Sequence, residues 1–166
     1  MYIPETDACW SSHLGMWLIE ELWFRQAVDL YKAGLYAIDA AETPRGREMR
    51  PYDVVEGTAV IPIQGPMTKA GSAKFQEAST VRVRQHLRAA ARDDAVNQVM
   101  LHIYSPGGHV DGTSELAADV TRVRSVKPVY AHIEDLGASA AYWVASQAQH
   151  ITANATAEVG SIGTVA

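Results

Sequence analysis

Residues 132–147 read HIEDLGASAAYWVASQ. The stretch opens like a buried strand and closes like a helix, so one element turns directly into the next. The corner is made of Gly137, Ala138, Ser139, Ala140 and Ala141, all small, with one hydroxyl at the centre. A corner built this way leaves room. Either the helix packs very closely on the sheet, or another backbone must come within bonding distance of Ser139.

Upstream, QVMLHIYS (Gln98–Ser105) is a near-continuous apolar run, the pattern of a strand covered on both faces. SPGGHVDG follows as a turn, and a helix is predicted over Thr113–Arg124 with Leu116, Val120 and Val123 inward. KPVYAHIE is the next strand and Ser139–Gln149 the next helix. HITANA gives a short strand, and VGSIGTV begins another. Before these elements, GTAVIPIQG (Gly57–Gly65) is a strand in which Pro62 suggests an edge or a bulge. PMTKAGSAKFQEA reads as a loop. Ser79 or Thr80 can cap a helix running to about Arg92, with Val83, Leu87 and Ala90 inward and its arginines on a solvated face. Strand and helix alternate, which predicts a layered α/β domain with a largely parallel sheet.

The N-terminal part differs. From about Ser12 to Ala33 the spacing predicts an amphipathic helix. Glu21, Arg25, Asp29 and Lys32 share one narrow face, and Trp17, Leu18, Leu22, Trp23, Phe24 and Val28 crowd the rest. Such a wide apolar arc packs either on its own domain or against a neighbouring subunit. TPRGREMRPYDVVEG (43–57) reads as a linker. The expected organisation is therefore a helical segment over 1–42, a linker over 43–57 and a domain over 58–166.

The 166 residues carry 14 basic and 19 acidic side chains, for a formal net charge of −5. That balance argues against a nucleic-acid surface. The single cysteine, Cys9, excludes an intrachain disulfide. No run reaches the ~18 apolar residues of a membrane-spanning helix, and MYIPETDACW lacks the pattern of a secretory signal. The default expectation is a cytoplasmic protein.

Two stretches fall at the C-terminal ends of successive strands, where open parallel sheets bind ligands. In Ser105-Pro106-Gly107-Gly108 the paired glycines let backbone N–H groups face outward, and a helix N-terminus follows. This suits an oxyanion hole, although a plain turn would look the same. In the second stretch Ser139 has the setting of a nucleophile, and the N–H of Ala140 that of a second oxyanion donor, with Gly137 and Ala138 leaving room for a substrate. The alternative is a helix N-cap serine in a close-packed corner. His109, after the Gly-Gly turn, is placed to line the same groove.

Three motifs in order resemble one family. SPGG at Ser105–Gly108, GASAAYWVAS at Gly137–Ser146 and VGSIGTV at Val159–Val165 look like the signal-peptide-peptidase-A (SppA) serine peptidases, and most like phage members that mature capsids or cleave scaffolds. AVIPIQG matches the first strand of their domain, and the Trp-rich N-terminal helix fits as well. The resemblance implies a ClpP/crotonase-like fold and a serine–lysine endopeptidase acting on scaffold or capsid polypeptides. Ser139 matches the nucleophile, Gly107 and Gly108 the oxyanion turn, and Ala140 the residue after the nucleophile. Gly160–Gly163, with Ser161 and Ile162, matches a wall beside the site. No cofactor or metal is implied. A homo-oligomer is expected, located in a host cytoplasm or a procapsid.

A serine hydroxyl needs a base. The resemblance implies a lysine kept neutral by burial and lying downstream of the GSIG segment. The 166 residues reach only Ala166, so the expectation is a fragment without its base. Lys69 and Lys74, in the loop after the first strand, are weaker alternatives, and Lys127 weaker still. A protein that only binds or assembles is another, and a crotonase-type acyl-CoA enzyme a further one. A Ser-His-Asp arrangement would require His150, oriented by Asp111, Glu134 or Asp135. His150 reads more simply as a strand-end surface residue, and His102 and His132 as packed core residues. No histidine cluster has the spacing of a metal site.

Overall fold

A computed structural model of the chain describes residues 17–19, 52–73 and 76–163, the first of these segments by its backbone. In chain order the strands are β1 (Trp17–Ile19), β2 (Asp53–Val55), β3 (Thr58–Gln64), β4 (Met67–Thr68), β5 (Ala78–Ser79), β6 (Gln98–Ser105), β7 (Gly107–His109), β8 (Val129–Ala138), β9 (His150–Ala153) and β10 (Glu158–Gly160). The helices are α1 (Thr80–Arg92), α2 (Thr113–Arg124) and α3 (Ala140–Ala145).

The larger sheet runs β10-β8-β6-β3-β2, with β9 also on β8. Every pairing in it is parallel except β2 with β3. A β-x-β order with helical crossovers demands this, because parallel neighbours cannot be joined by a tight turn. β2 covers β3 only along Thr58–Val60, so Pro62 has a partner on one side alone, His102. That is where a residue without an N–H is tolerated. A smaller sheet, β1-β7-β4-β5, lies at the C-terminal end of β3 and β6.

Leu101, Ile103, Ile61, Ile63, Val129 and Ile133 point from one sheet face into the core. Val83 and Leu87 of α1, Leu116 and Val120 of α2 and Val144 of α3 meet them there. Full burial of each large side chain is worth roughly 1.5–3 kcal/mol. The opposite face is open among the described residues: Met100 and His102 are half-buried and Tyr104 is exposed. Among the described residues β6 is therefore covered on one face, where its apolar run suggested both.

Several local expectations hold. Ser79 caps α1, its Oγ accepting from the N–H of Arg82 at 3.2 Å. α2 spans Thr113–Arg124 as the spacing predicted. Others need correction. Trp17–Ile19 lies in a stretch read as helix, yet it is a strand paired with β7. The ladder offered by an open strand edge overrides a helical pattern there. The rest of that predicted helix lies outside the described residues. The SPGG turn continues as β7, and the loop after β3 contains the short strands β4 and β5. α3 stops at Ala145 instead of reaching Gln149. Ala148 N–H bonds the Ala145 carbonyl, a tighter i→i+3 closure that ends the helix. The arginines of α1 are not simply solvated. Arg84 and Arg88 each reach Asp119 Oδ2 at 2.8 Å, joining α1 to α2 over a carboxylate that is 2% exposed. Arg122 closes on its other oxygen.

Candidate active site

β6 and β8 run parallel and side by side, and Ser105 stands opposite Gly137. The two small-residue corners of the sequence are therefore neighbours at the C-terminal end of the sheet. Between Ile103 and Ser105 the register shifts, because Glu134–Leu136 of β8 stand against Tyr104 alone, two residues more than β6 has there. A bulge of this kind bends a strand and re-aims the residues beyond the bend. Gly137 falls where the chain turns back over Ile133: a Cβ there would lie 2.7 Å from Ile133 Cδ1.

Ser139 has φ +55 and ψ −119. These are the angles of the first central residue of a type II′ turn, ordinarily a glycine. Holding a serine there costs of order 1–3 kcal/mol. Its side chain does not cap α3. Its Oγ is buried and has no hydrogen-bond partner among the described residues. Ser139 thus stands at the N-cap position of a close-packed corner, as one of the two readings had it, but without the capping bond that such a serine usually makes. Ala138, Ala140 and Ala141 around it are buried. Ala140 is the first residue of α3, where an N–H has no partner within the helix.

The Gly-Gly turn is held by Ser105. Its hydroxyl donates to the Gly65 carbonyl at 2.7 Å and accepts from the Gly107 N–H at 3.2 Å. Gly107 has φ +96. Gly108 is glycine for a second reason: a Cβ would lie 2.0 Å from the Met67 carbonyl oxygen. Both glycines thus have structural duties beside any role toward a substrate. Sequence reasoning overlooked Ser105 as the clamp of this turn. Its place directly before Pro-Gly-Gly was the available signal.

β10 lies on the other side of the corner, with Val159 opposite Gly137 and Gly160 opposite Ala138. The GSIG segment therefore starts beside Ser139. Ser161 has φ +51, and Ile162 is 85% exposed. His109, at the end of β7, is half-buried, with Nδ1 3.4 Å from Asp111 Oδ2.

The other sequence candidates sit elsewhere. Lys69 lies beside the start of α2, close to Gly112, and its charge acts on Glu115. Lys127 donates to the carbonyls of Ala90 and Asp93 at the opposite end of β8, roughly 30 Å of strand away at ~3.3 Å per residue. Lys74 lies outside the described residues. His102 and His132 are not core residues. They stack at 6.2 Å on the open sheet face, where His102 Nε2 meets Glu134 Oε2 at 3.2 Å and His132 bonds Thr152. His150 is exposed and stacks on Tyr130, and Asp135 is exposed. A separate groove of about 640 Å³ is lined by Gln64, Tyr104, Arg82 and His86 among others. Burial and then the charge of Arg82 lower the pKa of His86. No described helix is long and apolar enough to cross a membrane.

Comparison with known proteins bears on this site. Residues 121–166, which include the Ser139 corner and the GSIG segment, match the model of peptidase family S49. The chain is 36% identical over 121 residues to "Capsid assembly protease C" of Escherichia phage lambda, covering 70% of this chain and 27% of that protein. It is 35% identical over 120 residues to "Head-tail preconnector protein GP5" of Enterobacteria phage P21, covering 70% and 24%. The chain thus spans about a quarter of the length of these relatives. Among solved structures, an enoyl-CoA hydratase from Polaromonas sp. JS666 superimposes with a TM-score of 0.52 at 14% identity, over 64% of this chain and 48% of that one. At that identity the likeness concerns the fold, which is crotonase/ClpP-like. The chain is thus similar to peptidase family S49 over residues 121–166 and to phage capsid proteins of the SppA-type line to which its three motifs pointed.

Proposed function

We propose that this chain carries the nucleophile of a serine endopeptidase, in a domain that takes in β2 (Asp53–Val55), from the stretch read as a linker over 43–57, as well as the expected 58–166. The observation that carries the reading is the state of Ser139. A non-glycine residue is held at φ +55 with a buried hydroxyl that bonds to nothing described. Strain and an unsatisfied polar group are both costly, and a serine making the usual capping bond would incur neither.

In the proposed reaction Ser139 Oγ attacks the carbonyl carbon of a scissile peptide. Its proton passes to a base as the carbonyl π electrons move onto oxygen. The backbone N–H groups of Gly108 and Ala140 stabilise that oxyanion. Collapse breaks the C–N bond, the base returns its proton to the leaving amine, and water then hydrolyses the acyl-enzyme. The family resemblance assigns the base to a lysine downstream of the GSIG segment. The positions of Lys69 and Lys127 support neither as the base. His109, Gly137, Ala138, Ser161 and Ile162 form the walls that receive an extended substrate. The names of the phage relatives favour a capsid or scaffold polypeptide as that substrate.

The test is Ser139→Ala in the full-length protein, co-expressed with the candidate capsid and scaffold polypeptides. Cleavage followed by mass spectrometry is expected to disappear while folding is retained. Continued cleavage by the variant overturns the assignment.

A further inference from the structure

One edge of β7, the strand that begins beside the Ser139 corner, is already occupied by the chain itself. β1 runs antiparallel along it, with Trp17 opposite His109, Leu18 opposite Gly108 and Ile19 opposite Gly107. β7 begins two residues after Ser105, whose parallel partner Gly137 lies two residues before Ser139. The other edge of β7 is taken by β4, with Met67 opposite Gly108. A guest strand therefore has one edge available, the one β1 fills.

We propose that residues 17–19 are the resident occupant of the strand edge on which an extended polypeptide is read, so that the chain carries its own competitor for the groove. The proposal rests on the peptidase reading of Ser139 and adds a control on access to it. Three features support it. An extended peptide adds to an open sheet edge through its main chain, and two strands cannot hold the same N–H and C=O groups at once. Gly107 and Gly108 present no side chains, so a partner backbone can approach closely. The pairing covers only three residues, short enough for a longer guest to displace. An internal occupant lowers apparent affinity in proportion to the fraction of molecules left open. The guest is a polypeptide in extended form, recognised by backbone and pairing antiparallel to β7.

The test uses the full chain carrying Cys9→Ser, Trp17→Cys and His109→Cys. Facing residues of an antiparallel pair lie ~4.5–5.5 Å apart at Cα, within disulfide range. Mild oxidation is expected to give an intramolecular 17–109 disulfide, read by peptide mapping under non-reducing conditions. The probe is a fluorescein-labelled peptide of residues 14–22, LGMWLIEEL. It should bind the oxidised form at least ~10-fold more weakly than the reduced form, in line with removal of the open state. A second variant, Leu18→Pro, breaks the pairing without touching β7 and should bind the probe more tightly than the native chain. Failure of the disulfide to form, or equal probe binding by oxidised and reduced protein, or no gain in Leu18→Pro, overturns the proposal. These readouts do not depend on turnover. Continued cleavage by Ser139→Ala would remove the peptidase reading while leaving the occupancy result standing.

Discussion

The backbone N–H of Ser139 donates to the carbonyl of Gly160 at 2.7 Å. This bond uses up the amide of the nucleophile candidate, so an oxyanion donor at the corner has to come from Ala140. It also ties the GSIG segment to the corner, because the angles of Ser139 and the end of β10 are set together.

The strain at Ser139 makes a prediction with two signs. Ser139→Gly relieves a positive φ and should raise stability by about 1–2 kcal/mol, in the range for one strained residue. Ser139→Ala keeps the strain and removes a buried hydroxyl with no partner among the described residues, so a gain below about 1 kcal/mol is expected. Urea denaturation distinguishes the two. Neither variant should cleave polypeptide. A fall in stability for Ser139→Gly would show that the hydroxyl is held by a partner.

Ser105→Ala removes the donor to Gly65 and the acceptor for Gly107. Both lost partners are at a buried turn, so a loss of about 1–3 kcal/mol is expected. Hydrogen exchange should speed up at Gly107 before it does so at Val99 or Leu101, because the clamp is local. Uniform acceleration would mean that the hydroxyl supports the whole sheet.

Two glycines should respond differently to alanine. At Gly108 the added Cβ meets Met67 backbone, which has no rotamer to change, and a loss of about 3 kcal/mol or more is expected. At Gly137 it meets the side chain of Ile133. Ile133→Val should therefore recover part of the loss in Gly137→Ala, with a coupling of about 0.5–1.5 kcal/mol in a double-mutant cycle. Strict additivity would place the Gly137 constraint elsewhere.

Asp119 supplies a pH dependence. Burial raises its pKa, but the hydrogen bonds from Arg84 and Arg88 and their charges more than offset this, so the net shift is downward. A depressed carboxylate contributes stability that is fully present above its unfolded value and is lost as pH falls through the folded one. Stability of the native chain should therefore decline more steeply below about pH 4 than that of Asp119→Asn. At neutral pH Asp119→Ala should cost about 2–4 kcal/mol, since three arginines lose a carboxylate that is 2% exposed. Arg88→Ala should cost under about 1 kcal/mol, its side chain being 47% exposed.

Much of this protein can be read from residue order. The periodicities of Thr80–Arg92, Gln98–Ser105 and Thr113–Arg124 determine their elements, because local spacing decides which side chains share a face. The alternation of these elements dictates a parallel sheet, and a parallel sheet puts the SPGG and GAS corners at one end. Other features depend on contacts between residues far apart in the chain. Trp17–Ile19 has a helical pattern but takes the open edge of β7. His102 and His132 sit in apolar runs, yet they lie on the sheet face that no described element covers, since only packing decides which face is covered. The α1 arginines look solvated until Asp119 arrives from another helix. Residue types determined that Ser139 is small-flanked and stands at a corner. Tertiary structure alone decided that it is strained and that its hydroxyl is left without a partner among the described residues, because both depend on where β8, β10 and α3 meet.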